Sequence, residues 1–353
     1  MRSLYGLRQS GRNWYRRLRE FLLKNGFKTA DLCPYIFIRM KNTQLVIVAS
    51  YVDDLNIIGT PNAIMETKEL FAKEFERKDL GETSFCLSLQ ITHINNGLFV
   101  HQSTYINTIL EKFNMDKCHP IKAPLIVRKL QIENDEYGPP REGEEILPKS
   151  YPYQEAIGTL MYLVNCTRPD LCFAVNLLSR YNKNPTMRHW KGIKQILRYL
   201  KGTSDVGLYY SISDEKMNYM KNSIQKLQNY KGNPDQLFKN ILADLWYKTD
   251  LTGYADAGFH SDPGDNGKSQ TGYCFLRCGA AISWRSQKQK VVATSACHSE
   301  IIALHEATRQ CNALHMLENT IASLIDVKLK DKLIVVKESG WEGKGERCEP
   351  KEE

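Results

Sequence analysis

Two aspartates stand side by side in "SYVDDLNIIGT", at positions 53 and 54. Apolar, β-prone residues lead into them from Leu45 and lead away from Leu55 to Ile58. Like charges so close repel, and burial would strip each of its hydration. A hairpin tip that carries both relieves this cost in one of two ways. The pair stands in water as an ordinary turn, or it holds a cation. Mg²⁺ suits the second role, because it takes one or two carboxylates and completes its shell with water and substrate phosphates. Two such ions about 3.5–4 Å apart activate a 3′-hydroxyl and stabilise a departing pyrophosphate. Asp-Asp is common at turns, so the tetrapeptide Tyr51-Val52-Asp53-Asp54 gains meaning only from its two hydrophobic flanks and from arginine-rich helices elsewhere in the chain.

The elements that must position this pair are legible around it. Residues 11–25 read as a basic amphipathic helix, followed by strands at about 35–40 and 44–52 and, beyond the aspartates, 55–59. Thr60-Pro61 reads as a cap with proline at the first helical position, opening a helix to Phe75 with Ile64, Phe71 and Phe75 inward. "SFCLSLQITHI" and "GLFVHQ" alternate as a hairpin joined by Asn95-Asn96-Gly97, and "STYINTILEKFNM" reads as a short helix. Residues 133–152 are acidic and rich in proline and glycine, the composition of a linker. A helical region follows over 153–210, then a polar stretch, 211–249, that reads as a second linker. The last unit, 250–337, shows the strands "LTGYADAGF", "TGYCFLRCG" and "AAISWRSQ", a helix from about Ser295 to Ile321 and an isolated strand "KLIVV".

Composition sets broad limits. The chain has 353 residues, 42% hydrophobic and 25% charged, which suits a globular protein of two or three domains. No segment approaches 18 uncharged apolar residues, and the first residues lack a secretory core, so a cytoplasmic or nuclear location without membrane contact is expected. Ten scattered cysteines agree with reduced thiols; Cys274, Cys278, Cys297 and His298 fit no usual zinc spacing. The net charge of +8 permits a polyanionic partner without requiring one. Its distribution says more. Arginines recur from Arg8 and Arg12 to Arg19 beside Trp14 and Tyr15, and Lys191, Lys194, Arg198 and Lys201 recur at helical spacing beside Trp190, Ile193, Leu197 and Leu200. On pattern alone each is a solvated face over a core stripe; contact with backbone phosphates is the sharper reading.

"ASYVDDLNIIGT" resembles the active-site hairpin of reverse transcriptases, and "SLYGLRQSGRNWYRRL" resembles a palm segment of the Pol polyprotein of copia-like LTR retrotransposons. "LGETSFCLSLQI" is similar to that family's primer-grip region, and the stretch from "IGTLMYLVNCTRPD" to "RYLKGT" to its thumb and connection. "GYADAGFHSDPGDNGKSQTGY" with "ATSACHSEIIALHEA" resembles its RNase H domain. The similarity runs from residue 3 to about 322, and several motifs in order make it far more specific than any one of them. It implies an α+β fold: a partial reverse-transcriptase palm over 1–132, a helical thumb and connection, and an incomplete RNase H-like domain, with a disordered tail at 338–353. It further implies Asp53 and Asp54 as metal ligands at a polymerase centre, Gln9 near the template–primer, and Asp256 and Glu300 (the latter in the first turn of its helix) as metal ligands at a nuclease centre. Without the family, Asp256 reads as a turn residue and Glu300 as a charge favoured near a helix N-terminus. Mg²⁺ or Mn²⁺ would be the cofactor; RNA template, DNA primer, RNA–DNA hybrid and dNTPs the partners. Nothing indicates an oligomeric state.

Departures from the family pattern bear on activity. The third polymerase carboxylate belongs to a strand several tens of residues before "SLYGL", and the sequence starts two residues before that segment. After "KLIVV" the family carries an Asp-Asn pair; here Glu338 is nearest, one methylene longer than a site of such tight placement accepts. Ser88 stands where the primer-grip region usually has glycine. The expectation is therefore a reverse transcriptase/RNase H fragment with little or no catalysis. The alternative is a non-catalytic nucleic-acid-binding remnant or co-opted protein.

Overall fold

Alternating apolar residues along 33–59 build the sheet that ends in the two aspartates. In the computed structural model, which describes residues 8–126, 135–228, 230–248, 251–262, 267–327 and 336–338, that sheet has the order β1-β2-β3-β4. The strands are β1 (Lys28–Ala30), β2 (Cys33–Lys41), β3 (Gln44–Tyr51) and β4 (Asp54–Gly59), antiparallel throughout. Successive side chains point to opposite faces. Phe37, Val46 and Val48 therefore share one face, where they pack with Leu18 and Leu22 of α1 (Arg8–Lys24) and with Ala63 and Phe71 of α2 (Pro61–Glu74). The residues between them, Ile36, Ile38, Leu45 and Ile47, form the other face.

Two compact units divide the chain: residues 1–100, 209–250 and 312–333 in one, and 101–208, 251–311 and 334–353 in the other. The first unit is not the continuous 1–132 expected from sequence. Its second sheet, of order β5-β6-β7-β8, holds β5 (Phe85–Cys86), β6 (Leu89–Ile94), β7 (Gly97–His101) and, from the far side of the helical region, β8 (Leu208–Ser211). Glycine is required at 97: a Cβ there would lie 2.1 Å from the Tyr210 carbonyl oxygen.

The polar stretch 211–249 is not a linker. It forms two helices of this unit, Asp214–Gln228 and Pro234–Lys248. Leu242 and Ala243 of the latter, together with Ile321, Ala322, Leu324, Ile325 and Val327, cover the Ile36–Ile38–Leu45–Ile47 face. Composition misleads here because only one stripe of each helix is buried, and the polar majority is its outer face.

In the second unit, the helices Ser103–Lys112, Tyr153–Cys166, Cys172–Ser179 and Met187–Gly202 share one apolar core, including Ile106, Leu160, Leu163, Leu178, Ile193 and Leu197. A sheet of order β11-β10-β9-β12 belongs to the same unit: β9 (Thr252–Asp262), β10 (Lys268–Arg277) and β11 (Ala280–Lys288) are antiparallel, and β12 (Val336–Glu338) runs parallel to β9. Side chains tie bundle and sheet. The Trp284 indole N–H donates to the Val164 carbonyl at 2.8 Å, and Arg180 donates to the Gln270 side-chain oxygen at 2.6 Å. The expected separation of a thumb-like region from the last unit is thus replaced by one packed body. Apart from Val336, "KLIVV" lies outside the described residues, as does the tail after Glu338.

The acidic stretch is also no free linker over its described part, 135–152. Asp135, Tyr137 and Gly138 are buried, and Arg188 and His189, in the first turn of the helix Met187–Gly202, hold it. The Arg188 guanidinium donates to the carbonyls of Asp135, Glu136 and Pro139 and to both Glu144 carboxylate oxygens.

Candidate functional site

The β3–β4 hairpin closes at the Tyr51↔Asp54 pair, leaving Val52 and Asp53 as a two-residue turn. Two-residue hairpin loops favour positive φ at their central positions, usually supplied by glycine or asparagine. Here Val52 holds a φ of 53°, a conformation a β-branched residue seldom adopts. Asp53 and Asp54 are exposed, and among the described residues neither carboxylate makes an ion pair or side-chain hydrogen bond. The tip is held from beneath. Trp14 of α1 donates its indole N–H to the Val52 carbonyl at 2.7 Å. The other end of the hairpin is pinned as well: a Cβ on Gly59 would fall 2.2 Å from the Leu45 carbonyl oxygen, which accepts the Thr60 N–H at 2.9 Å. Thr60 precedes α2 as expected, but its hydroxyl bonds the Gln44 side chain at 2.5 Å and does not cap the helix.

The exposed pair suits the chemistry of Mg²⁺ or Mn²⁺: two hard oxygen donors with no cation of the described residues already neutralising them, open to water and phosphate. Among the described residues, no group of three or more His, Cys, Asp or Glu is gathered as a metal site, and the tip contributes two carboxylates. All the described cysteines are free thiols.

Gln9 and Arg12 are exposed in the first half of α1, and Arg8 opens that helix, three residues earlier than the sequence pattern suggested. Arg12, Arg16 and Arg19 line one exposed stripe, whereas Arg17 is engaged, donating to Glu74 at 3.1 Å. On the helix Met187–Gly202, Lys191, Lys194 and Lys201 are exposed; Arg198 instead donates to the His119 carbonyl at 2.8 Å and anchors a loop.

Asp256 is an exposed residue within β9, paired with Gly272 and flanked by buried Ala255. It is therefore a mid-strand residue, not one at a turn. Glu300 is half-buried in the helix Ala296–Leu324, as its fifth residue, just past the first turn and not in it. Both belong to the second unit. Glu338 falls in β12, which pairs with Ala255 beside Asp256 in the backbone register.

Sequence reasoning missed two charged centres in this unit. Arg168 is fully buried, donating twice to Asp170 (3.0 and 2.8 Å) and to the carbonyl and hydroxyl of Thr203. Its signal was the Arg-Pro-Asp run at a helix end. Around Arg188, hydrogen bonding by the guanidinium pulls the Glu144 carboxyl down to about 2. Burial holds His189 below its ordinary value, with Nδ1 accepting from the Thr186 N–H and Nε2 donating to the Gly138 carbonyl.

The site thus joins an antiparallel hairpin with paired exposed carboxylates to an arginine-bearing helix. Residues 1–127 match the family model described as Reverse transcriptase (RNA-dependent DNA polymerase). The chain is 34% identical over 88% of its length to the Retrovirus-related Pol polyprotein from transposon TNT 1-94 of Nicotiana tabacum, covering 21% of that protein. It is 30% identical over 85% of its length to the corresponding polyprotein from transposon RE2 of Arabidopsis thaliana, covering 18%. It also covers 90% of the Secreted RxLR effector protein 161 of Plasmopara viticola, at 33% identity over 46% of this chain. Residues 1–127 thus match the reverse-transcriptase family, and most of the chain is homologous to part of copia-type retrotransposon Pol polyproteins. It spans about a fifth of the length of the two polyproteins. No solved structure matches it. Among the described residues, no helix is long and apolar enough to cross a membrane.

Proposed function

We propose that this chain is the polymerase-to-nuclease part of a Pol polyprotein, built for RNA-templated DNA synthesis and for cleavage of RNA in RNA–DNA hybrids. The observation that carries the reading is the exposed Asp53–Asp54 pair, without an ion pair among the described residues, at a strained hairpin tip. Asp53 and Asp54 would hold Mg²⁺ or Mn²⁺, which when bound lowers the pKa of a primer 3′-hydroxyl and offsets charge on the leaving pyrophosphate. The protein's own part is to keep both carboxylates at one tip and out of competing ion pairs. Gln9, with Arg8 and Arg12 on α1, would meet template–primer near that tip.

The order β11-β10-β9-β12, with β12 parallel to β9 and a long helix between β11 and β12 in sequence, supports the RNase H-like reading of the second unit. Asp256 on the interior strand β9 and Glu300 on that helix would be its metal ligands, with Lys191, Lys194 and Lys201 on backbone phosphates. Arg198 would act there through the loop it anchors.

Among the described residues no third carboxylate joins Asp53 and Asp54 at the tip. In-line phosphoryl transfer needs tighter control of geometry than two ligands give. The chain alone is therefore expected to bind hybrid, more weakly as salt rises, and to extend a primer slowly or not at all. Primer extension on an RNA template with Mg²⁺ tests this. Robust incorporation that Asp53→Asn abolishes would contradict the low activity while upholding the site. Hybrid binding indifferent to Asp53→Asn, with no turnover, would favour the purely nucleic-acid-binding alternative.

A further inference from the structure

Trp14 reaches from α1 to the carboxylate-bearing turn, and three observations bear on what that contact does. First, its indole N–H reaches the carbonyl of Val52, the residue immediately before Asp53, at 2.7 Å. Second, Val52 is both strained, at a φ of 53°, and exposed, so no core packing on its own side chain holds it in that conformation. A residue in such a sparsely populated region persists only where its surroundings over-determine it. Third, the indole is itself fixed. It meets the Phe75 ring edge-on, with centroids 5.3 Å apart, and Phe75 is bracketed by Phe21 at 5.0 Å and by the Arg17 guanidinium at 5.2 Å, the latter tied to Glu74. The chain of contacts thus runs from the C-terminal end of α2 through one aromatic cluster to a single donor on the strained peptide.

We infer that Trp14 is a positioning residue for the carboxylate pair. Its hydrogen bond holds the peptide that joins Val52 to Asp53 in the orientation from which both aspartates present oxygens to one cation. The inference rests on the reading of Asp53 and Asp54 as cation ligands. It adds a residue that touches neither metal nor substrate and acts through the backbone of the turn.

Two measurements on the full chain separate this inference from the reading beneath it: Mn²⁺ affinity by electron paramagnetic resonance, and hydrogen exchange of the amides of residues 52–54. Trp14→Phe keeps an aromatic ring against Phe75 and removes the donor. It is expected to weaken Mn²⁺ binding about three- to tenfold, the effect of losing one neutral hydrogen bond, and to speed exchange at the turn. Asp53→Asn is expected to abolish the binding without changing exchange of the neighbouring peptides. If Asp53→Asn binds Mn²⁺ as the unaltered protein does, the ligand reading fails, and with it the part of the inference that concerns the cation. If instead Asp53→Asn abolishes binding but Trp14→Phe matches the unaltered protein in affinity and in exchange, the positioning role alone is overturned. Should Trp14→Phe fail to fold, benzothienylalanine at position 14 retains the bicyclic shape without the N–H, and the same two readouts apply.

Discussion

Arg188 and Glu144 form a two-point ion pair, Nε to one carboxylate oxygen at 3.0 Å and Nη2 to the other at 2.7 Å, across a sequence gap that looked like a linker. The same guanidinium also takes three backbone carbonyls of residues 135–139. Bidentate geometry and partial burial make this one of the stronger classes of ion pair. It converts an acidic, proline-rich segment into a strap packed on the helix Met187–Gly202.

Acid should release that strap. The Glu144 carboxyl titrates at about 2 in the folded protein against an ordinary value of 4.5. Its contribution is fully present above the unfolded value and is lost as pH falls through the folded one. His189 acts in the same sense: its folded value is depressed by burial, so its contribution is complete above about 6.5 and declines as the pH falls and the ring is forced to charge. Proteolysis of the 135–147 segment should therefore accelerate as pH drops below about 6 and again towards 3. Glu144→Gln should cost about 1–2 kcal/mol at neutral pH and remove the lower step. A digestion rate that is flat with pH, or a lower step that survives Glu144→Gln, contradicts the assignment.

Arg168 should be less replaceable than any arginine on α1. Its side chain is wholly buried, and its loss removes both donors to Asp170 and the donors to the Thr203 carbonyl and hydroxyl. Arg168→Leu is expected to cost about 2–4 kcal/mol as its charge-assisted hydrogen bonds are lost, and Arg168→Lys to recover only part, since an ammonium cannot reproduce the two-point contact. Urea unfolding followed by circular dichroism measures both. Equal stabilities for Lys and Arg at 168 would show that the fork geometry is immaterial.

The turn between β5 and β6 offers a gain. Leu87 and Ser88 hold φ values of 52° and 61°, the consecutive left-handed pair that two-residue hairpins need and that glycine supplies without a Cβ clash. Ser88→Gly should stabilise the protein by about 1 kcal/mol. A lower midpoint in thermal or urea unfolding would mean that the serine makes a contact worth more than the strain it bears.

What could be read in advance follows from where the governing interactions lie. The carboxylate hairpin, α1 and α2 were legible because period-two and period-3.6 patterns are local, and Pro61 marks the start of its helix. Asp256 and Glu300, singled out through motifs, lie on a strand and a helix, with Glu300 one position beyond the first turn. Segments 133–152 and 211–249 were misread because their partners are distant. No local pattern tells that Arg188 will take Glu144, or that Leu242 and Ala243 will meet Ile38 of β2. Likewise, the short strand Leu208–Ser211 joins a sheet begun more than a hundred residues earlier, which composition cannot reveal. The strain at Val52 was equally hidden, since its residue type argues against the φ it adopts.

The account turns on the cation at the hairpin tip. Mn²⁺ titrated into isotope-labelled protein and followed by paramagnetic broadening of backbone amide signals addresses it directly. Broadening that begins at residues 51–55 at the lowest metal additions, and that disappears in the Asp53→Asn, Asp54→Asn double variant, is the predicted result. Broadening that starts elsewhere, or that survives the double substitution at the tip, would contradict it.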